Sequence, residues 1–261
     1  MVDFTKLEHF LAIDDTKYSE ASAEALNHYI RQYMLKVPFE NINVQNGWPL
    51  ALTDEAMMQK VVDEQRGGFC YEMNYFFKHY LEYKGFEVDA MSATVMSPNG
   101  WAREGSHMSL KVTIDDKAYV ADIGFGDMPK FALPMACPSE GLSDVTGSYR
   151  VHGLNEGYYD IEKWSDAQQA WQISYRVLNE PKTLEAFEDG IAYNQSSPDS
   201  IFVQGLLITK ATETGRNTLT HNHLTLLSNG DKSAQTTTKE NYQDFLETYF
   251  GIPKMTIATF S

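Results

Sequence analysis

The chain has 261 residues, 43% of them hydrophobic, and a formal net charge of −15. It can bury a sizeable core but lacks the basic face that nucleic acid or an anionic membrane surface demands, so neither partner is expected. Its two cysteines, Cys70 and Cys137, exclude a disulfide scaffold and fit a reducing cytoplasm. Residues 1–10 lack the basic start and apolar run of a signal peptide, and no apolar stretch reaches bilayer-spanning length, so the expected location is cytoplasmic.

The first third reads as helices. Leu26, Tyr29, Ile30, Tyr33, Met34 and Val37 recur at helical spacing until Pro38 ends the run. A second helix opens on Thr53 as N-cap, carries Met57, Met58, Val61 and Val62, and stops at Gly67. A third starts near Cys70, places Met73, Phe76, Phe77, Tyr80 and Leu81 on one stripe, and stops at Gly85. From Phe86 the period becomes two: VDAMSATVM, HMSLKVTI, AYVADI, YRVHGL, GYYDIE and WQISYRV read as strands. After Pro181, KTLEAFEDGIAYN reads as helix, followed by strands IFVQGLLIT and TLTHNHLTLLS joined by the turn ETGRN. Thr237 and Glu240, spaced as a capping box, open a last helix through Tyr242, Phe245, Leu246 and Tyr249 to Gly251. There is no repeat and no low-complexity linker. Helices, then an antiparallel sheet, then a mixed segment make an α+β chain in three packed parts.

The stretch RGGFCYEMN, Arg66 to Asn74, raises the chemical question. Cys70 reads either as a small core residue or as a thiol in the first turn of a helix, where free N–H groups and the helix dipole favour a thiolate. Gly67 and Gly68 let the backbone turn tightly before it. A reactive thiol needs a base and a group to orient that base. If HMSLKVTI and KAYVADI form a hairpin with Asp115 and Asp116 as its two-residue loop, Ile114 faces Lys117 and Asp122 faces Ser109. His107 and Asp122 then become diagonal neighbours on one sheet face, with Cα atoms roughly 7–8 Å apart; the alternative is an ordinary polar strand face. His221 and His223 share a strand face without a third ligand, so no metal is expected. His79 lies too far along its helix to serve Cys70. GxxxxGK[ST] is absent, and GFGD at Gly124 to Asp127 lacks the third glycine of a dinucleotide fingerprint.

These segments together resemble the arylamine N-acetyltransferases. RGGFCYE is similar to that family's nucleophile motif RGGxCxE, and PFENIN at Pro38 to Asn43 to its PFEN segment. SHMSL, ADIGFG and SPDSIF (Ser197 to Phe202) resemble its histidine, aspartate and P-x-S-x-F elements. The resemblance implies a papain-like Cys-His-Asp arrangement of Cys70, His107 and Asp122. It also implies an N-terminal helical bundle (1–85), an antiparallel β-barrel domain (86–180) and a C-terminal α/β lid (181–261). The implied reaction is ping-pong acetyl transfer from acetyl-CoA, as acyl-donor cosubstrate, through a cysteine thioester to an arylamine or arylhydrazine. Phe39, Phe125 and Phe202 are the implied walls of the substrate pocket. The resemblance does not identify the residues that bind CoA's phosphates; basic groups read as exposed, such as Arg103, Lys130 and Arg216, could serve, and nothing in their spacing selects them. A transglutaminase- or papain-like cysteine hydrolase is the alternative activity, because the same residue order serves amide cleavage.

Overall fold

The computed structural model describes residues 2–260. Its first part is helical: α1 (Thr5–Leu11), α2 (Ala23–Lys36), α3 (Ile42–Gln45), α4 (Asp54–Met58) and α5 (Cys70–Tyr83), with a short strand β1 (Phe39–Glu40) between α2 and α3. Ser22 caps α2 by accepting the Ala25 N–H, and Pro38 forces the chain out of the helix at Val37. Thr53 caps α4 as expected, accepting the Ala56 N–H at 3.2 Å. The helix does not run straight on towards Gly67. It widens into a π-turn over Gln59–Asp63, and Gln65 then takes a left-handed φ of 54°.

The middle of the chain forms a nine-stranded antiparallel sheet. Its strands are β2 (Glu87–Ser97), β3 (Gly100–Trp101), β4 (His107–Ile114), β5 (Lys117–Ala121), β6 (Leu133–Pro134), β7 (Leu142–Asp144), β8 (Gly147–Gly153), β9 (Tyr158–Ser165) and β10 (Ala170–Lys182). They are ordered β6-β5-β4-β2-β10-β9-β8-β7, with β3 paired to the end of β2; β6 also lies against β8, so the sheet curls into a nearly closed barrel. The β4–β5 hairpin has the expected register, Ile114 opposite Lys117 and Leu110 opposite Ala121. Asp115 and Asp116 take φ of 48° and 60°, the two positive values a primed two-residue turn requires. Helix α5 packs on β4 and β2, burying Met73, Phe76, Phe77, Tyr80 and Leu81 as its apolar stripe dictates.

The last part departs from the sequence reading in five places. β10 continues through Pro181 to Lys182, so the helical stretch begins later, as a 3₁₀ turn over Leu184–Phe187 leading into α6 (Glu188–Ser196). IFVQ is not strand but the one-turn helix α7 (Ile201–Gln204), capped by Ser200, whose Oγ accepts the Phe202 N–H at 3.2 Å. TLTHNHLTLLS is not one strand but parts of β12 (Gly215–Thr220) and β13 (His223–Ser228), because Thr220 Oγ1 accepts the His223 N–H at 3.1 Å and closes a turn. With β11 (Leu207–Ala211) and β14 (Asp231–Thr236), a strand the periodicity does not reveal, these build a second sheet ordered β1-β11-β12-β13-β14. The last helix, α8 (Tyr242–Phe245), widens into a π-turn over Leu246–Phe250 and stops at Gly251, φ 72°. No capping box forms at Thr237, whose buried hydroxyl has no hydrogen-bond partner. Asn241 instead folds its side chain back to accept the Thr238 N–H at 2.7 Å.

Two apolar cores result. The larger joins the helices to the barrel and includes Phe187 and Ile191; the smaller gathers Ile42, Leu206, Leu219, Leu246 and Phe250 beneath the second sheet. β1 ties the two regions together, with Phe39 opposite Thr209 and the Glu40 N–H on the Gly68 carbonyl at 2.8 Å. At that junction a Cβ on Gly67 would sit 1.7 Å from the Pro38 carbonyl oxygen. Gly67→Ala is therefore expected to cost about 3 kcal/mol of stability through forced backbone displacement. Urea unfolding checks this, and a variant as stable as the wild type would contradict it.

Candidate active site

Helix α5 begins on Cys70, and its start is held by buried charge. Glu72 reaches back to accept the Phe69 N–H at 3.1 Å, and its other oxygen accepts from the Ala51 N–H and from Lys60 Nζ, both at 2.8 Å. Lys60 also lies 3.6 Å from Glu40, which receives the Arg66 guanidinium at 2.7 Å and the Ile42 N–H at 2.6 Å. Arg66 donates further to Asn43 Oδ1 at 2.7 Å. Two cations and two anions, all buried, leave no net charge inside, the condition under which such a cluster is tolerated. Gly67 and Gly68, expected to let the backbone turn tightly, take no positive φ. They supply space, since a Cβ on Gly68 would strike the Glu72 carboxylate at 2.7 Å.

His107 opens β4, opposite Ala93 of β2, and Asp122 follows the last residue of β5. His107 Nε2 and Asp122 Oδ2 are 2.7 Å apart, the contact the hairpin register implies. Asp122 takes three further donors. Asn74 Nδ2 and the Gly124 N–H reach Oδ1, each at 2.9 Å, and the Tyr175 hydroxyl reaches Oδ2 at 2.7 Å. Cys70 and His107 line the same cavity, and the neighbouring thiol adds to the causes that raise the imidazole pKa. Gly124 is required here because a Cβ would lie 3.0 Å from Cys70 Cα and 2.9 Å from Asn74 Nδ2.

Burial of His107 opposes its charge. The Asp122 carboxylate, through its charge and its hydrogen bond, outweighs this with help from Cys70 and raises the imidazole pKa to about 10. Burial likewise works against ionised Asp122, but His107, Asn74 and Tyr175 together hold its carboxyl below the usual carboxylate value. The histidine is thereby kept cationic beside the thiol, as a base that has taken a proton and can return it.

A cavity of about 340 Å³ opens on Cys70 and His107. Phe39, Phe125 and Phe202 all line it. Phe125 stands edge-on to His107 with centroids 5.3 Å apart, and Phe202 packs on Phe39 and Phe69 at 6.0 and 5.7 Å. Two site residues escaped the sequence reading. Asn74 lies one helical turn after Cys70 on the same face, a signal that was available. Tyr175 is aimed at Asp122 from a strand whose register against β9 shifts between Ile173 and Tyr175, which nothing in the sequence announces. Of the basic residues read as exposed, only Arg103 is so. Lys130 is buried against Asp144 at 3.0 Å, and Arg216 is buried beside Asp127 at 3.6 Å. His79 bonds Asp54 at 2.7 Å, and Cys137 is a half-buried thiol whose pKa burial pushes up.

Tyr175→Phe tests the grip on Asp122. Asp122's carboxyl lies below 3.8 when folded, so its stabilisation is complete above that pH and is lost as pH falls through the lowered value. Removing one donor should cost about 1–3 kcal/mol at pH 7. The gap from wild type should narrow only below pH 3.8, the ordinary value for the group. Urea unfolding across pH measures it, and a gap that is absent at pH 7, or unchanged in acid, would contradict the assignment.

Comparison with known proteins identifies the family. A family model described as N-acetyltransferase matches residues 22–257. An uncharacterized acetyltransferase of Bacillus subtilis (strain 168) is 30% identical over 210 residues, 77% of this chain and 80% of the relative. Arylamine N-acetyltransferase 2 of Mus musculus is 28% identical over 252 residues, 88% of this chain and 86% of that protein. The crystal structure of an arylamine N-acetyltransferase from Bacillus cereus, described as having a Cys-His-Glu catalytic triad, superposes with a TM-score of 0.87 at 28% identity, covering 97% of this chain and 100% of that one. Here the carboxylate on the histidine is an aspartate, Asp122. The chain belongs to the arylamine N-acetyltransferase family and is an acyltransferase of the α+β fold shared by these enzymes.

Proposed function

We propose that Cys70, His107 and Asp122 form a catalytic triad that moves an acetyl group from acetyl-CoA to the nitrogen of an aromatic amine or hydrazine. The observation that carries this reading is that the Cys70 thiol and an imidazole held by a saturated carboxylate open together on one cavity lined by Phe39, Phe125 and Phe202. Cys70 Sγ, its proton held on His107, attacks the thioester carbonyl. A new S–C bond forms, the CoA sulfur leaves, and His107 gives its proton to that sulfur. His107, now neutral, takes a proton from the attacking amine as the C–N bond forms and the Cys70 S–C bond breaks, which restores the ion pair. Aromatic amines keep a free lone pair near neutral pH where alkylamines are protonated, and so suit such a site. Phe39, Phe125 and Phe202 would hold the ring and keep water from the acyl-enzyme.

A three-part division at residues 85 and 180 goes with this reading, the C-terminal part supplying α7 and Phe202 to the cavity and four of the five strands of the second sheet. A free thiol nucleophile fits a reducing cytoplasm, and among the described residues no helix is long and apolar enough to cross a membrane.

Acetyl-CoA alone is expected to leave one acetyl group on Cys70 and none on Cys137, with release of about one equivalent of CoA. Peptide mass spectrometry decides; an adduct on Cys137, or on neither cysteine, would sink the proposal and favour a hydrolase. Phe125→Ser should alter which arylamines are accepted while the acetylation of Cys70 persists, because the ring faces the acceptor. Were Phe125 only a core residue, truncation would cost about 3–5 kcal/mol and depress both half-reactions together. Melting temperature and the two half-reaction rates, taken on one preparation, separate the cases.

A further inference from the structure

Cys70 and His107 sit on separate elements, one at the start of α5 and the other at the start of β4. Their separation is set by the bonds that tie helix to strand beside them. On one side the tie is Asn74, one helical turn beyond Cys70. Its Nδ2 donates at 2.6 Å to the carbonyl of Met108, the residue after His107. On the other side the tie is Tyr71, the residue after Cys70. Its hydroxyl donates to the Gly105 carbonyl at 2.7 Å, and Gly105 takes φ 68° in the turn that delivers Ser106 and His107. Ser106 is itself held to the barrel, its Oγ accepting the Val95 N–H of β2 at 3.1 Å.

This second tie lies under α6. A Cβ on Gly190 would sit 2.5 Å from the Tyr71 hydroxyl oxygen and 2.8 Å from the Gly105 carbonyl oxygen. Glycine weakens a helix interior, and here it stands where the helix must pass closest to another backbone. Four residues on, and so on the same helix face, Asn194 turns its amide to the same seam. Its Nδ2 donates to the Tyr71 hydroxyl at 3.5 Å and to the Ser106 carbonyl at 3.4 Å, and its Oδ1 accepts from Ser200 Oγ at 3.3 Å. Both amide hydrogens are therefore spent on the residue after the nucleophile and the residue before the base. Tyr71, Asn194 and Ser200 are all buried. Ser200 in turn caps α7, which carries Phe202 to the cavity. The Tyr71 bond is the shortest of the set, so Tyr71 is the main tie and Asn194 its support.

Resting on the triad reading above, we infer that Tyr71 and Asn194 are positioning residues for acyl transfer: they close the seam between α5 and β4 under α6 and so hold the Cys70 thiol against the His107 imidazole. Tyr71 does not line the cavity, so its influence reaches the substrate only through Cys70 and His107.

The test uses three variants. Tyr71→Phe removes one oxygen and keeps the ring, Asn194→Ala removes the support, and Gly190→Ala keeps both side chains but forces α6 off the seam. Alkylation by iodoacetamide, mapped to Cys70 by peptide mass spectrometry, reads the thiol without any acyl donor. In Tyr71→Phe its rate at pH 7 should fall about tenfold, the worth of one buried hydrogen bond. The two rates should converge above about pH 10, where a thiol ionises unaided. The rate of Cys70 acetylation by acetyl-CoA should fall by a similar factor with KM for acetyl-CoA unchanged. Asn194→Ala and Gly190→Ala should show the same pattern, and they carry the comparison where Tyr71→Phe does not fold. Wild-type rates in the variants overturn the inference. So does a loss that is equal at every pH and follows a lowered melting temperature, which marks a purely structural role. A wild type whose Cys70 alkylates readily at pH 7 but takes no acetyl group from acetyl-CoA overturns the acyl-transfer reading beneath it.

Discussion

Everything at the active site hangs on one buried carboxylate. Asp122 is taken out of water by the barrel and by α5, and a lone anion there would be prohibitively costly. It is tolerated because four donors converge on it from four places: Asn74 on α5, Gly124 on the following loop, Tyr175 on β10 and His107 on β4. The same saturation fixes helix to barrel. It also accounts for the histidine, since an imidazole buried beside a fixed anion keeps its proton. His107's contribution to stability is complete below the ordinary value of 6.5 and is lost only as pH rises through about 10. A charge arrangement that suits the chemistry is thus also one that suits the fold.

A second buried set, Glu40, Lys60, Arg66 and Glu72, does for Cys70 what the donors of Asp122 do for His107. It explains why RGGFCYE and PFEN belong together although 25 or more residues separate their centres. Arg66 and Glu40 come from the two segments, and each would lose its nearest buried counter-charge without the other. The glycines that follow Arg66, Gly67 and Gly68, are the consequence of that pairing. The chain carrying Arg66 must pass within contact of the Pro38 carbonyl and of Glu72, where no side chain fits. RGGFCYE is therefore mostly scaffold, and of its seven residues Cys70 alone lines the cavity.

Much of this was legible in the chain itself, and the failures have physical causes. Apolar stripes and caps located α2, α4 and α5, and the two aspartates of a two-residue turn were enough to set the β4–β5 register and so to bring His107 to Asp122. Tyr175 was not legible because it depends on a bulge, which shifts a side chain by one position without a compositional mark. IFVQ misled because a one-turn helix and a short buried strand share the same apolar run, and the Ser200 cap that distinguishes them was overlooked. TLTHNHLTLLS misled because a threonine hydroxyl closes its turn, with neither glycine nor proline to interrupt the alternation. Lys130 and Arg216 were read as exposed from residue type alone, which says nothing of Asp144 and Asp127, the carboxylates the fold sets beside them.

The central claim is that the buried carboxylate keeps His107 charged beside Cys70. The most direct measurement is an NMR titration of the His107 ring nitrogens in the free enzyme. The account predicts an imidazolium throughout the neutral range, deprotonating only near pH 10. A ring that is neutral at pH 7, titrating near or below the ordinary histidine value of 6.5, would contradict it.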